Sequence, residues 1–308
     1  MLELDEKKIR KGKPIGLPYQ GSKKKISKKI VEIIKQNFGT EKPIYDIFGG
    51  GGAITAECML NGLEVHYNDL DETVTRMFQK VVSEDRDYLK TLIVSRDEFF
   101  RIRVKENKTV DDNLKLLVNS FGNNKRSYLY SKKLSDSKYN LAVEIIEKYD
   151  AFDGYRKTEV YLGAKDIFKD QAYQKTQQDR MDRLQQLQRL QQLEHLQQLG
   201  RLQQLQCVEV TNLDYTEFSG LEDAVLYLDP PYQNATLDSY SISEFDNQSF
   251  YDWAYEMSKK NIVLTSSYGI SDKRFECVYE FKTVKSTFAP NKRGKHTEKL
   301  FMVKKGEK

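Results

Sequence analysis

Asp229-Pro230-Pro231-Tyr232 follows the apolar run Ala224-Val225-Leu226-Tyr227-Leu228, so it reads as the loop at the carboxyl end of a buried strand. Open α/β sheets bind their ligands outside those strand ends. A carboxylate and a carbonyl, held rigid by two prolines, can both accept hydrogen bonds from one amino group. Tyr232 adds a flat face for a planar ring. Asp229, Pro230, Pro231 and Tyr232 are therefore the candidate catalytic residues. The competing reading is a stiff turn after a strand, and the rest of the chain weighs against it.

A second candidate site lies far upstream. Ile44-Tyr45-Asp46-Ile47-Phe48 reads as a strand, Gly49-Gly50-Gly51-Gly52 as a turn, and Ala53-Ile54-Thr55-Ala56-Glu57 as a helix start. Glycines between a strand and a helix let a ligand approach the backbone near the helix N-terminus. The spacing matches neither Gly-x-Gly-x-x-Gly nor a phosphate-binding loop with its lysine, so several nucleotide cofactors suit it. About twenty residues on, the strand Glu64-Val65-His66-Tyr67 ends in Asn68-Asp69-Leu70. An acid at that place typically binds ribose hydroxyls. The alternative for Asp69 is a helix cap before Asp71-Glu72-Thr73.

These elements sit in a chain of 308 residues, long enough for one large domain or two ordinary ones. A hydrophobic share of 39% beside 31% charged residues describes a soluble, rather polar globular protein. No stretch approaches the apolar length of a membrane span, and Met1 to Lys8 holds no signal-peptide core. A cytoplasmic protein with no membrane partner is expected. Cys58, Cys207 and Cys277, like His66, His195 and His296, are scattered without ligand spacing, so neither disulfides nor a metal site is expected. Residues 1–30 carry ten Lys/Arg against three acids, a local +7, and residues 101–138 carry ten against four, a local +6. On a chain of formal net charge +4, two such segments fit a nucleic-acid partner, or simply a solvated surface.

Strand-like runs occupy both ends of the chain. Those after the middle are Cys207 to Val210, Val225 to Leu228, Ile262 to Leu264, Val278 to Phe281 and Leu300 to Val303. The middle is helical, basic and then Gln-rich. The expected architecture is α/β: a Rossmann-like sheet built from 1–98 and 206–308, with a mostly helical insert at 99–205. The insert ends in a tract over 184–205, where leucine recurs at 184, 187, 190, 193, 196, 199, 202 and 205. A period of three lags the helix by about 60° per step, so the stripe spirals and cannot form a long heptad seam. One or two helices packed on the insert are expected, with Gly200 as a weak point.

Taken in order, these motifs resemble the Dam-type DNA adenine-N6 methyltransferases, particularly those carried by phages and prophages. The resemblance covers nearly the whole chain: Tyr19-Gln20-Gly21-Ser22-Lys23, Asp46 to Gly52, Tyr67 to Leu70, Phe121-Gly122-Asn123-Asn124, Asp229 to Tyr232, Ser266-Ser267-Tyr268 and Thr297-Glu298. The order of glycine turn, insert and Asp-Pro-Pro-Tyr is that of the α-group amino-methyltransferases. The resemblance implies S-adenosylmethionine as cofactor. Tyr19 and Lys23 would line its methionine end, the turn from Gly49, Gly50 and Gly51 to Gly52 would pass beneath it, and Asp69 would hold its ribose. Asp46 and Phe48 join that set, and Asp214 stands where the family often contacts the cofactor adenine, with an ordinary loop acid as the alternative.

It further implies direct methyl transfer to the exocyclic amine of an adenine flipped out of double-stranded DNA. Tyr232 would stack on that base, and Tyr268 reads better as a buried structural tyrosine. Asn123, Asn124, Lys125, Arg126 and Tyr128 are the candidate DNA contacts, beside a Gly-Asn-Asn turn where the family carries a base-reading hairpin. Phosphate contact or a turn role is the alternative for Asn123, Asn124 and Arg126. The segment departs from the motif of GATC readers, so that target is not expected. A monomer is favoured. Rival readings are the same chemistry on cytosine-N4 or RNA adenine, or an idle DNA-binding or assembly protein using the Leu/Gln tract. Restriction–modification, defence evasion and regulation all remain open as roles.

Overall fold

The computed structural model describes residues 1–19, 21–166, 184, 188–205, 208–231, 245–281 and 297–304. Tyr232, Gln20, Leu187, Cys207 and His296, all singled out above, lie outside the described residues. The chain divides into two compact units. One comprises Met1–Gly16, Gly21–Gln79 and Leu205–Lys308; the other comprises Leu17–Gln20 and Lys80–Gln204.

The first unit is built on a seven-stranded sheet of order β3-β2-β1-β4-β5-β7-β6. Its strands are β1 Ile44–Asp46, β2 Val65–Asn68, β3 Glu209–Thr211, β4 Val225–Leu228, β5 Ile262–Ser267, β6 Phe275–Glu280 and β7 Lys299–Val303. The first five run parallel, and β7 is antiparallel to both neighbours. Strand order reverses between β1 and β4, which pair Ile44 with Val225 and Asp46 with Tyr227. That switch point opens a crevice at the carboxyl ends of both strands. Every residue of β4 is buried. Alternation sends Val225 and Tyr227 into one core, with Ile30, Ile33 and Ile34 of helix α1 (Ser27–Phe38). Leu226 and Leu228 enter the opposite core, with Phe250 and Ala254 of the helix Asn247–Met257. A strand covered on both faces explains why this run is apolar throughout.

The second unit is helical around a compact aromatic core of Phe99, Tyr128 and Tyr130 with Val94, Ile102 and Leu116. The described part of the Leu/Gln tract is a helix, Gln191–Leu202, and it lies inside this unit. Leu190, Leu193, Leu196, Leu199 and Leu202 are all fully buried. The spiralling stripe therefore covers about two-thirds of the helix circumference, which suits an element surrounded by its own unit rather than a coil seam. Burial of each such side chain contributes roughly 1.5–3 kcal/mol. Gly200 does not break this helix, and a Cβ there would meet Leu89 and Phe152 at 3.7 and 3.8 Å, ordinary contact distances. Gly200→Ala should therefore raise stability by about 0.5–1 kcal/mol, the usual penalty of glycine in a helix interior. Chemical denaturation would measure it, and a destabilised variant would mean that the site cannot admit a methyl group.

Candidate active site

The glycine turn is locked from behind. Tyr67 of β2 stacks on Phe78 of helix α3 (Glu72–Ser83), with centroids 4.3 Å apart, and its hydroxyl donates to the Gly50 carbonyl at 2.8 Å. A Cβ on Gly49 would come within 2.3 Å of the Tyr67 ring, and one on Gly52 within 2.1 Å of Phe78. Gly50 and Gly52 also hold positive φ. The run is glycine because the backbone passes directly over two aromatic rings while turning into helix α2 (Ala53–Leu60).

Asp69 reaches this turn. Its carboxylate accepts from the Gly50 N–H at 2.8 Å through one oxygen and from the Asp71 N–H at 2.8 Å through the other. It thereby shapes the turn and braces the segment leading into α3, whose first turn Asp71 caps by accepting from the Thr73 N–H at 2.9 Å. Asn68, which carried no separate signal in the sequence, knits the neighbouring strand ends together. Its amide donates to Ile47 and Leu213 carbonyls at 3.0 and 2.9 Å, and its oxygen accepts from the Leu213 N–H at 2.9 Å. Only a signal of buried side-chain amides between loops finds such a residue, and that signal is tertiary.

Asp46 requires a correction. Expected among cofactor contacts, it is 1% exposed, and one oxygen accepts from both the N–H and hydroxyl of Thr55, at 3.1 and 2.7 Å. It caps the first turn of α2, whose own N-cap is a glycine. Asp214 likewise caps a short turn, accepting from the Thr216 N–H and hydroxyl at 3.0 and 2.6 Å, which is the loop-acid alternative. Phe48 packs edge-on against Phe250 and Phe245, beside Tyr215. Tyr19 lies in the short stretch grouped with the second unit.

Asp229 leaves the sheet at the carboxyl end of β4 and is held by two groups. Lys23 places its ammonium 2.8 Å from one carboxylate oxygen and 3.6 Å from Glu298. Ser266 of β5 donates to the other oxygen at 2.9 Å, and Tyr227 donates to Ser266 at 2.9 Å. Pro230 and Pro231 are buried and stiffen the exit. Lys23, expected from the resemblance at the methionine end of a cofactor, thus sits on the candidate catalytic carboxylate. Tyr268 is 37% exposed rather than buried, and it feels the charges of Glu298, Lys23 and Asp229.

Three acids crowd this edge of the sheet. Burial raises Asp69 to about 6, against the two backbone N–H groups that lower it, with Asp71 and Asp229 raising it further. Burial raises Asp46 from 3.8 to about 7, opposed by Thr55 and reinforced by Asp229 and Asp69. Between about pH 4 and 7 the folded protein therefore holds protons that the unfolded chain has lost, so stability falls as pH rises through that window. Asp46→Asn keeps an oxygen for Thr55 without the charge. It should be more stable than the parent at pH 8 by about 2–4 kcal/mol and indistinguishable at pH 4. Parallel unfolding curves at both values would show that Asp46 does not titrate in this window.

In the second unit, Ser120 and Tyr128 form an antiparallel bridge that closes a tight loop. Within it Gly122, Asn123 and Lys125 all hold positive φ. Asn124 accepts from the Arg126 and Ser127 N–H groups at 2.8 and 2.9 Å, and Arg103 donates to the Arg126 carbonyl at 2.9 Å. Arg126 and Phe121 are exposed at the loop surface. Tyr128 needs correcting: 6% exposed, it donates to the Val94 carbonyl at 2.9 Å and belongs to the core, with Leu129 and Tyr130 buried after it. Of the basic N-terminal segment, Arg10, Lys23 and Lys29 pair with acids of the first unit. Arg10 and Lys23 are thus held against largely buried acids, while Lys29 pairs with Glu6 at the surface.

A family model described as D12 class N6 adenine-specific DNA methyltransferase matches residues 19–281. The chain belongs to that family. No curated protein matches the chain. Membership makes this an enzyme that methylates DNA adenine at N6 with S-adenosylmethionine as methyl donor, on a Rossmann-like fold. It sets aside the idle-protein, cytosine-N4 and RNA rivals. The acid-rich edge suits a cofactor bearing a sulfonium and an ammonium, since cations relieve the mutual repulsion of Asp46, Asp69 and Asp229. Among the described residues no helix is long and apolar enough to cross a membrane, and no cluster of three His, Cys, Asp or Glu residues is arranged to hold a metal ion.

Proposed function

We propose that Asp229 and the Pro230 carbonyl hold the two amino hydrogens of an adenine flipped from double-stranded DNA, at the switch point where β1 and β4 end side by side. The observation that carries this reading is the double fixation of Asp229 by Lys23 and Ser266, which keeps the carboxylate oriented. The adenine amine is a poor nucleophile because its lone pair is delocalised into the ring. Two fixed acceptors favour a pyramidal nitrogen and remove the entropy of alignment before reaction. Lys23 must yield as the amino group arrives, and Glu298, 3.6 Å away, offers its ammonium a second carboxylate. Tyr232, and the exposed Tyr268, supply faces for the extruded ring.

For the cofactor, Asp69 holds the ribose hydroxyls, Phe48 lies beside the adenine, and the Gly49–Gly52 backbone passes beneath the methionine part. When bound, the sulfonium supplies an electrophilic methyl for in-line displacement. The first unit acts as the catalytic domain, and the second, from the 80s to the Leu/Gln helix, as the target-recognition domain. A cytoplasmic monomer fits this reading.

The loop at 121–126 reads the site, with Arg126 and Asn123 directed to base edges and Lys125 to phosphate. Arg126→Ala should relax discrimination at one position of the methylated sequence by about 1–3 kcal/mol. Modified-base sequencing of DNA from expressing cells, with parent and variant, tests it. A uniform loss on all sequences with a reduced salt slope would assign Arg126 to phosphate instead.

A further inference from the structure

We propose that Gln192, from the Leu/Gln tract, is a positioning residue for site discrimination, acting through both ends of the 121–126 loop. The proposal rests on that loop being the base reader.

Gln192 is fully buried, unlike the glutamines at 191, 197 and 198 of the same helix. Its side-chain nitrogen contacts the Asn119 side-chain oxygen, the Val94 carbonyl at 3.2 Å and the Tyr128 hydroxyl at 3.2 Å. Asn119 stands just before the loop and Tyr128 just after it. Asn119 is itself fully buried, donating to Leu92 and Lys115 carbonyls at 2.8 and 2.7 Å and accepting from the Val94 N–H at 3.2 Å. One amide therefore clamps both stems of the loop to the segment around Val94.

The helix and the loop also depend on one another. The helix has no side-chain cap of its own, because its N-cap is Leu190. The Leu190 N–H donates instead to the Tyr155 hydroxyl at 3.1 Å, and the Gln192 N–H to the Tyr130 hydroxyl at 3.4 Å. The buried Lys138 ammonium lies 4.4 Å from the Tyr130 ring centre and donates to the Arg189 carbonyl at 2.9 Å. Left-handed conformations at non-glycine residues are strained and persist only where surrounding structure imposes them. Asn123 and Lys125 both adopt them, so this loop needs an external hold.

Stability alone does not account for Gln192. Its side-chain oxygen has no hydrogen-bond partner among the described residues, and an unsatisfied buried carbonyl is unfavourable. An apolar residue of the same size would suit the core at least as well. A polar side chain kept there at a cost is explained by what its donor side positions.

The test uses the full-length enzyme and compares kcat/KM on its methylated duplex with kcat/KM on duplexes carrying one altered base pair. Gln192→Met keeps the volume and the helix but loses the clamp. It should lower the discrimination ratio by about tenfold, the scale of one base-pair readout, with cofactor affinity unchanged by calorimetry. Leu199→Ala removes packing from the same helix without touching the clamp, so it should lower the melting temperature and keep the ratio. If Gln192→Met does not fold, Gln192→Leu, which also removes the donor without burying a charge, replaces it with the same expectation. A parental ratio in the Gln192 variant, or an equal loss in Leu199→Ala, overturns the positioning role. The double variant Asn123→Ala/Arg126→Ala separates the two readings. If it retains full discrimination, the loop is not the reader and the proposal falls with it. If it loses discrimination while Gln192→Met does not, the positioning role alone fails.

Discussion

Asp229→Ala should abolish methyl transfer, with kcat falling at least about 10²–10³-fold, the effect of removing one preorganised polar group from a reacting centre. S-adenosylmethionine affinity should change by no more than about twofold, because Asp229 is one acid of three at this edge. The substitution leaves Lys23 with Glu298 at 3.6 Å and leaves Ser266 its bond from Tyr227, so the surroundings keep their partners. Asp229→Asn should be nearly as inactive, since it keeps the size and one acceptor but loses the charge that pairs with Lys23. Single-turnover methyl transfer and calorimetry with the same preparations separate chemistry from binding. Full activity in either variant would remove Asp229 from the reaction. An equal loss of cofactor affinity would assign its carboxylate to the wrong ligand.

Asp69→Ala should weaken S-adenosylmethionine binding by about 1–3 kcal/mol, the value of a charge-assisted hydrogen-bonded partner, and lower turnover at saturating cofactor far less. The structure adds a second contribution, because Asp69 also fixes the Gly50 N–H and thereby the turn itself. Asp69→Asn retains an acceptor for Gly50 and should lose less than Asp69→Ala. The parent enzyme should also show pH-dependent affinity. Burial lifts Asp69 to about 6, and a cation and ribose hydroxyls favour its ionised form, so affinity falls as pH drops through that value. Asp69→Asn should flatten the acid limb. A parental affinity in Asp69→Ala would leave this residue as a loop former only, and an acid limb surviving in Asp69→Asn would place the titration on another group.

The candidate site was legible where chemistry is local. The strand-to-glycine-to-helix succession at Ile44–Glu57 and the apolar run ending at Asp229 each occupy one short stretch, because a turn and a doubly buried strand impose residue types on adjacent positions. The side of each residue was less legible. Asp46 looked like a ligand contact and is a buried cap for Thr55. Tyr128 looked like a surface contact and is core, because its hydroxyl finds the Val94 carbonyl, a partner that only the tertiary fold brings to it.

By itself the sequence determined the order of the elements and their chemistry: an Asp-Pro-Pro-Tyr exit, a glycine turn, an acid about twenty residues on, and a helical middle with a leucine every third residue. Only the tertiary structure decided which of these meet. β1 and β4 are 181 positions apart from Ile44 to Val225 yet pair directly, which brings the glycine turn and Asp229 to one edge. It also put Lys23 on Asp229, and it turned the leucine stripe inward with Gln192 beneath the loop. The physical reason is common to all three. Propensity and periodicity act within a few residues, whereas pairing of charges and burial of amides depend on neighbours that chain folding alone supplies.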